Sequence, residues 1–402
     1  MTETSLEGIA VWNGRTFLGT RTVRWEGDRI TAVDAADVDA SAAGSASLSL
    51  IPGLVDTHVH LDTKADGSSA DRSWPLITPP EERSLHAASH AKQAAKAGIT
   101  TLRDLAAEPT QFAVSRAFEQ GVLIGPRLYA SGPVGMTAGH GDLFVPPFFP
   151  IRQPVADSPD ECRKLVRSWA RAGATGIKIY TSGGILSMGD QVGWRNQTRD
   201  EIRATIDEAH ALGMLVAAHS HTAEGIDIAL DDGADSIEHG TGMDDSHFVR
   251  LVERNIPVAP TLLINDAIAS GAMHVPHEAQ LKAQAVIGDR DARLRRAAAA
   301  GVRFVLGTDA NGVFVRWGDQ LTEVRKMAEL FGWTAERALF SATADAADAI
   351  GIAGVTGSIA PGLGADFLVV EGRPWERIDA LRSENIVAVV SRGRLVSGRL
   401  PG

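Results

Sequence analysis

The sequence contains one cysteine, Cys162, among 402 residues, so an intramolecular disulfide framework is excluded. It also lacks basic excess: 39 lysines and arginines face 50 acidic residues, for a net charge of −11. Nucleic acid and anionic membrane surfaces both select for a basic face, so neither is expected as a partner. No stretch approaches the roughly 18 consecutive apolar residues of a membrane span. The opening MTETSLEGIAVW has no basic segment followed by an apolar core, and a cytoplasmic setting is expected. What remains is an ordinary globular composition, 44% hydrophobic and 22% charged, with length for one large barrel and a smaller domain.

The most informative stretch is residues 48–61, LSLIPGLVDTHVHL. An apolar run turns at Pro52-Gly53, resumes, and ends in His58-Val59-His60, the pattern of a buried strand. Side chains alternate across a strand, so His58 and His60 share a face. Two neutral imidazoles at that spacing suit one divalent ion, while two surface histidines at a strand end fit the bare motif equally well. The rest of the chain decides between them.

Residues 6–50 alternate and turn, with hairpin signals at Asn13-Gly14 and at Glu26-Gly27-Asp28. The other end repeats the style over residues 357–395, with a turn at Arg392-Gly393. Residues 1–50 and 355–402 therefore predict one small β-sandwich domain built from both termini. Residues 51–354 have a different rhythm. Short apolar runs begin at residue 54 and recur at 100–105, 127–131, 176–180, 215–219, 236–239, 258–262 and 303–308. Helical patterns lie between them. Ser158-Pro159-Asp160-Glu161 offers an N-cap, a first-turn proline and a capping-box Glu, and Thr198 with Glu201 offers another box. Glycines such as Gly98, Gly173 and Gly213 close helices before the next strand. Eight strands alternating with helices predict an α/β fold, a (β/α)8 TIM barrel.

Active sites of such barrels sit at the C-terminal ends of the strands. The polar residues ending these runs are His58 and His60 on strand 1, Lys178 on strand 4, His219 on strand 5, His239 on strand 6 and Asp309 on strand 8. In Gly176-Ile-Lys-Ile-Tyr180, Lys178 faces opposite two isoleucines. If those face the helices, its ammonium points into the barrel, where an isolated charge is costly. Two readings are open: a lysine snorkelling to the strand end, or one converted by carbon dioxide to a carbamate that bridges two metals. His219 and His221 share a face, His219 as the ligand and His221 as a pocket residue. Asp309 suits both metal ligation and proton transfer. His86 and His90, four apart on a helix, read as a solvated face, and His210, His247, His274 and His277 have no partner pattern.

Taken together, these motifs resemble the amidohydrolase superfamily over essentially the whole chain. IKIYTSGGILS, AAHSHT, SIEHGT and GTDA resemble its prolidase-like, imidazolonepropionase-related branch. The resemblance implies two divalent ions, zinc, with His58, His60 and Asp309 holding one and His219 and His239 the other. Carboxylated Lys178 would bridge them, and a metal-bridging hydroxide would attack the amide carbonyl while Asp309 moves the proton. His140, in Thr137-Ala-Gly-His-Gly-Asp142, matches a position that helps hold the substrate carbonyl or oxyanion. His221 stands where relatives often have Tyr or His, and a supporting hydrogen bond is an equal reading of it. The implied activity is hydrolysis of a small-molecule amide or peptide, of dipeptidase, carboxypeptidase or N-acyl amino acid amidase type. Alternatives are a one-metal cyclic amidase or imidazolonepropionase-like enzyme, a deaminase, a carbamate or phenylurea hydrolase, or a non-catalytic scaffold with a decayed site. Lys178 discriminates, because one-metal relatives typically lack it. The apolar run Phe144-Val-Pro-Pro-Phe-Phe-Pro-Ile151 reads as a substrate wall or as an oligomer contact, and a homo-oligomer is expected. Arg152, Arg195 and Arg316 are candidates for gripping a substrate carboxylate.

Overall fold

A computed structural model describes residues 3–36, 48–66, 73–272 and 275–401. Among these, the first strands are β1 (Thr4–Trp12), β2 (Phe17–Glu26), β3 (Arg29–Ala35), β4 (Leu48–Pro52), β5 (Leu54–Val59), β6 (Ile99–Leu105) and β7 (Arg127–Val134). They are followed by β8 (Gly176–Tyr180), β9 (Leu215–Ser220), β10 (Ser236–His239), β11 (Val258–Ala259), β12 (Phe367–Glu371), β13 (Ile386–Ser391) and β14 (Arg394–Gly398).

Both chain ends meet in one sheet of order β14-β13-β12-β4-β1-β2-β3. Its turns follow from local chemistry. The Asn13 side chain accepts from the Arg15 and Thr16 amides between β1 and β2. Arg392 and Gly393 both take positive φ, 53° and 70°, as a two-residue hairpin matched to strand twist requires. The sheet curls into a sandwich-like unit, because Val11, Val23 and Trp25 from one end share a core with Phe367, Val369 and Val390 from the other. Its opposite face supplies Trp12, Ile51, Leu368 and Val389 to a core shared with barrel residues such as Ile99 and Leu102. A buried ion pair ties the two units: Arg127 Nε on β7 donates to Asp366 beside β12, at 2.7 Å.

The chain crosses from one sheet to the other at Gly53. The barrel sheet runs β11-β10-β9-β8-β7-β6-β5 with every pairing parallel. Residues 303–310 close it, bridging Val258 to Phe304 and Val59 to Ala310. The Thr57 amide donates to Leu306 O at 3.0 Å, and the Val305 amide to Val258 O at 3.1 Å. The barrel is therefore complete, although its last two members are more irregular than the sequence predicts. The predicted strand 258–262 ends at Ala259 because Pro260 has no amide to donate. Thr261 then turns left-handed at φ 45°, and a helix starts at Leu262. Glu323 accepts from the Leu262 and Leu263 amides at 2.6 and 2.9 Å and so satisfies that helix start.

Two further local readings need correction. Ser158 does cap its helix, but Glu161 reaches back to the Asp157 amide (2.8 Å), one residue before the cap, instead of closing a box on Ser158. The box at Thr198 and Glu201 forms in full. His86 and His90 are not a solvated face. His90 is buried and receives the Trp317 indole N–H at 2.6 Å, while His86 Nδ1 accepts from the Ala65 amide at 2.9 Å. Both secure the loop that follows β5.

Candidate active site

The strand ends gather the imidazoles at one rim. His58 and His60 leave β5 on the same face, as alternation predicts, with ring centroids 5.3 Å apart. His239 and Asp309 do not follow alternation. Both adopt left-handed backbone, φ 69° and 57°, which for non-glycine residues is strained and is kept where the surroundings over-determine it. That turn brings His239 into the site even though Glu238, its neighbour on β10, also points inward.

Two groups of potential ligand atoms result, each lying within 4.8 Å: His58, His239 and Asp309, and His219, His221 and His239. His60 joins the first through Asp309, its Nε2 lying 3.1 Å from Asp309 Oδ1. His221 belongs to the second group, a closer approach than its sequence reading as a pocket residue. The partners of each ring decide which nitrogen faces inward. His58 Nδ1–H donates to Glu238 Oε2 at 2.8 Å, leaving Nε2 for the site. His239 and His221 likewise place Nδ1 against Thr261 Oγ1 (2.7 Å) and Thr241 Oγ1 (2.9 Å). His219 is reversed: its Nε2 lies 3.2 Å from Gly183 O, so Nδ1 turns inward. Such outer contacts orient metal-binding imidazoles.

Electrostatics agree with this geometry. Burial lowers His58 to about 4, with the Lys178 charge adding to the effect. Burial and the neighbouring rings lower His219 and His239 well below the ordinary histidine value, and His221 to about 3. These rings are neutral at pH 7 and offer lone pairs. Burial also opposes charge on His60 and Asp309, but each outweighs it for the other: Asp309 raises His60, while His58 and His60 lower Asp309. Asp309 is thus ionised.

Lys178 completes the cluster. It is 2% exposed, and its Nζ has no hydrogen-bond partner among the described residues. Burial lowers its amine to about 8, against the pull of Glu238 and Asp309. His140 comes from the loop after β7. Its ring stacks on His219 at 4.4 Å and lies so close to Gly184 that a methyl there would meet it at 1.8 Å. Behind it, Nδ1 is 3.0 Å from Ser187 Oγ, which is 2.8 Å from Asp190. Lys282 Nζ donates to Asp190 at 2.7 Å.

Sequence reasoning passed over this support. It also passed over Glu238, which accepts from His58, from Ser236 Oγ (2.6 Å) and from Arg103 Nη2 (2.7 Å). The available signal was a charged residue in the middle of an apolar strand, Arg103 in TTLRDL and Glu238 in SIEH, since such groups are buried only when paired. The candidate carboxylate grips fare less well. Arg152 donates to Asp142 at 2.6 Å inside its own loop, and Arg195 and Arg316 are exposed. Phe144 packs beside His140 (5.4 Å), whereas Phe148 is fully exposed. His210 pairs with Asp235, His247 caps the helix at Asp244, and His274 lies outside the described residues.

Neutral imidazoles around an ionised carboxylate, at the C-terminal rim of a parallel barrel, make a barrel-type enzyme site whose residues could hold a metal ion. The profile of the Amidohydrolase family matches residues 49–396, and the chain belongs to that family of hydrolases acting on C–N bonds. Ochratoxinase of Aspergillus niger is 30% identical over 364 residues, which cover 86% of this chain and 74% of that protein. A solved Xaa-Pro dipeptidase with methionine bound in its active site matches with TM-score 0.87 at 29% identity, covering 98% of this chain and 99% of that one. A prolidase complexed with N-methylphosphonate-L-proline matches with TM-score 0.88 at 30% identity, covering 99% and 100%. These likenesses place the chain in the prolidase-like branch.

Proposed function

We propose that the protein is a two-metal hydrolase of amide or peptide bonds in small molecules, of dipeptidase, carboxypeptidase or N-acyl amino acid amidase type. The observation that carries this reading is Lys178, a buried amine beside the histidine cluster with no hydrogen-bond partner among the described residues. Burial favours its neutral, nucleophilic form. That amine adds to the carbon of carbon dioxide and gives up a proton, which replaces a costly cation with an anion offering two oxygens. His58, His60 and Asp309 would hold one ion, His219 and His239 the other, with carboxylated Lys178 between them. The nitrogen and oxygen donor set suits zinc. Bound ions would supply a Lewis acid for the carbonyl oxygen and lower the pKa of water.

The chain's own residues do the rest. Asp309, ionised and beside His60, accepts the proton of the attacking water and passes it to the leaving nitrogen. His140, supported through Ser187 by Asp190, is the group set against the substrate carbonyl. One-metal ring-opening or deaminating relatives typically lack a lysine at this place, so Lys178 favours the two-metal reading. Among the described residues no helix is long and apolar enough to cross a membrane. The buried, unpaired Cys162 suits a cytoplasmic setting, and exposed Phe148 and Ile151 suit contact between copies in a homo-oligomer.

Metal analysis of protein purified from zinc-containing medium should give two ions per chain, with turnover of N-acyl amino acids or dipeptides. Asp309→Asn should keep the fold and lose turnover by roughly 10²–10⁴-fold. One ion per chain after reloading with zinc and bicarbonate, or full activity in the variant, overturns the reading.

A further inference from the structure

Beside His221 opens a cavity of about 370 Å³, within the range of small-molecule sites. Val192, from the loop after β8, and Ala285 and Val286, from the helix His277–Ile287, give it an apolar side. Two cations also line it, Lys282 and Arg293. Their situations differ. Lys282 is committed, since its ammonium donates to buried Asp190 (2.7 Å) and to Ser187 O (2.9 Å) and pairs with Glu278 (3.0 Å). Arg293, on the helix Arg290–Ala299, makes a loose helical pair with Asp289 at 3.7 Å, where Asp289 is 81% exposed, and its charge also reaches the carboxylate of Asp244. A pair of that kind contributes almost nothing. Neither contact is a hydrogen bond among the described residues, so the guanidinium fork that lines the cavity is less committed than the Lys282 ammonium.

We infer that this cavity is a substrate subsite in which Arg293 binds a free carboxylate. Val192, Ala285 and Val286 receive an aliphatic side chain. The inference rests on the amide-hydrolase reading and narrows it to amides of aliphatic amino acids with a free carboxylate on the side of the bond that enters the cavity. The planar fork of arginine matches a carboxylate with two parallel hydrogen bonds, which an ammonium cannot reproduce. Arg293 is thus a specificity-determining residue. Its position on a helix beyond β11, away from any strand end, made it unreadable in sequence.

The zinc-loaded full-length protein tests this through two measurements. The first is calorimetric binding of leucine, the amino acid such a substrate would release. The second is turnover of N-benzoyl-leucine against its decarboxylated counterpart, N-benzoyl-isopentylamine. Arg293→Met should weaken leucine binding and raise KM for N-benzoyl-leucine, each roughly 10-fold or more, the range of a charged hydrogen bond. It should change the decarboxylated substrate far less, and Arg293→Lys should fall between. Leucine that fails to bind the wild type, or binds Arg293→Met equally well, overturns the subsite. So does an unaltered preference between the two substrates. If neither substrate turns over while leucine binding still depends on Arg293, the subsite is upheld and the amide-hydrolase reading fails.

Discussion

Arg103 and Lys178 are both buried cationic side chains on barrel strands, and their surroundings are opposite. Arg103, on β6, is 6% exposed, and its fork is well supplied. Its Nε donates to Thr57 O at 2.6 Å and its Nη2 to Glu238 Oε1 at 2.7 Å, with Ser236 Oγ at 3.3 Å. Lys178, on β8, is as deeply buried and has no hydrogen-bond partner among the described residues. The two even sense each other, since the Arg103 charge further disfavours the Lys178 ammonium. A paired buried cation is architecture: Arg103 fixes Glu238, Glu238 fixes His58, and the ring is aimed before any ligand arrives. An unpaired buried cation marks a group whose chemistry is completed by something else. Burial and charge alone do not separate the two. Counting hydrogen bonds does.

The sharpest way to break this contrast is to remove the unpaired amine. Lys178→Ala is expected to bind one ion or fewer per chain and to lose nearly all turnover, with part restored by formate or acetate entering the space left behind. Lys178→Arg keeps the charge and fills the space, so added acids should not rescue it. Two bound ions and normal turnover in Lys178→Arg would erase the distinction between the two cations.

Removing a partner from the paired cation should have a smaller effect, spread between stability and metal affinity. Glu238→Gln leaves Arg103 buried without its counter-charge. Breaking such a pair costs about 3–5 kcal/mol, measurable by denaturant unfolding. Weaker orientation of His58 should lower metal affinity roughly 10–100-fold. An unfolding midpoint equal to wild type would show that Arg103 does not depend on Glu238.

The mildest test takes a buried, satisfied group away from the site. Burial lowers His90 to about 4 from the ordinary 6.5. Its Nδ1 accepts the Trp317 N–H and Nε2 contacts Thr63 O at 3.0 Å, so the fold holds the neutral ring. Below pH 6.5 the unfolded chain takes up a proton that the fold refuses, so stability falls as pH drops from 6.5 towards 4. Between pH 7 and 5 this amounts to about 2 kcal/mol. His90→Gln should show an acid slope shallower by that amount in unfolding curves at the two pH values. An unchanged slope would mean His90 is not held neutral.

The sequence by itself determined the barrel, the curled sheet built from both chain ends, and most of the rim. Periods of alternation and of helical repeat are local properties, and His58, His60, Lys178 and His219 stand on strands regular enough for those periods to assign their faces. Tertiary structure decided what alternation cannot reach. His239 and Asp309 enter the site through left-handed backbone, which His and Asp tolerate better than most residues but which only the closed barrel imposes at these two positions. Seventh and eighth strands shorter than their apolar runs, the burial of His90, and the ring nitrogen each histidine turns inward all depend on partners distant in the chain. So do the pairing of Arg103 with Glu238 and the absence, among the described residues, of a hydrogen-bond partner for Lys178. Arg293 reaches the cavity, while Arg152 spends its charge on Asp142, for the same reason. Which faces a segment offers is written in its own residues, but what meets those faces is set by contacts that exist only once the barrel has closed.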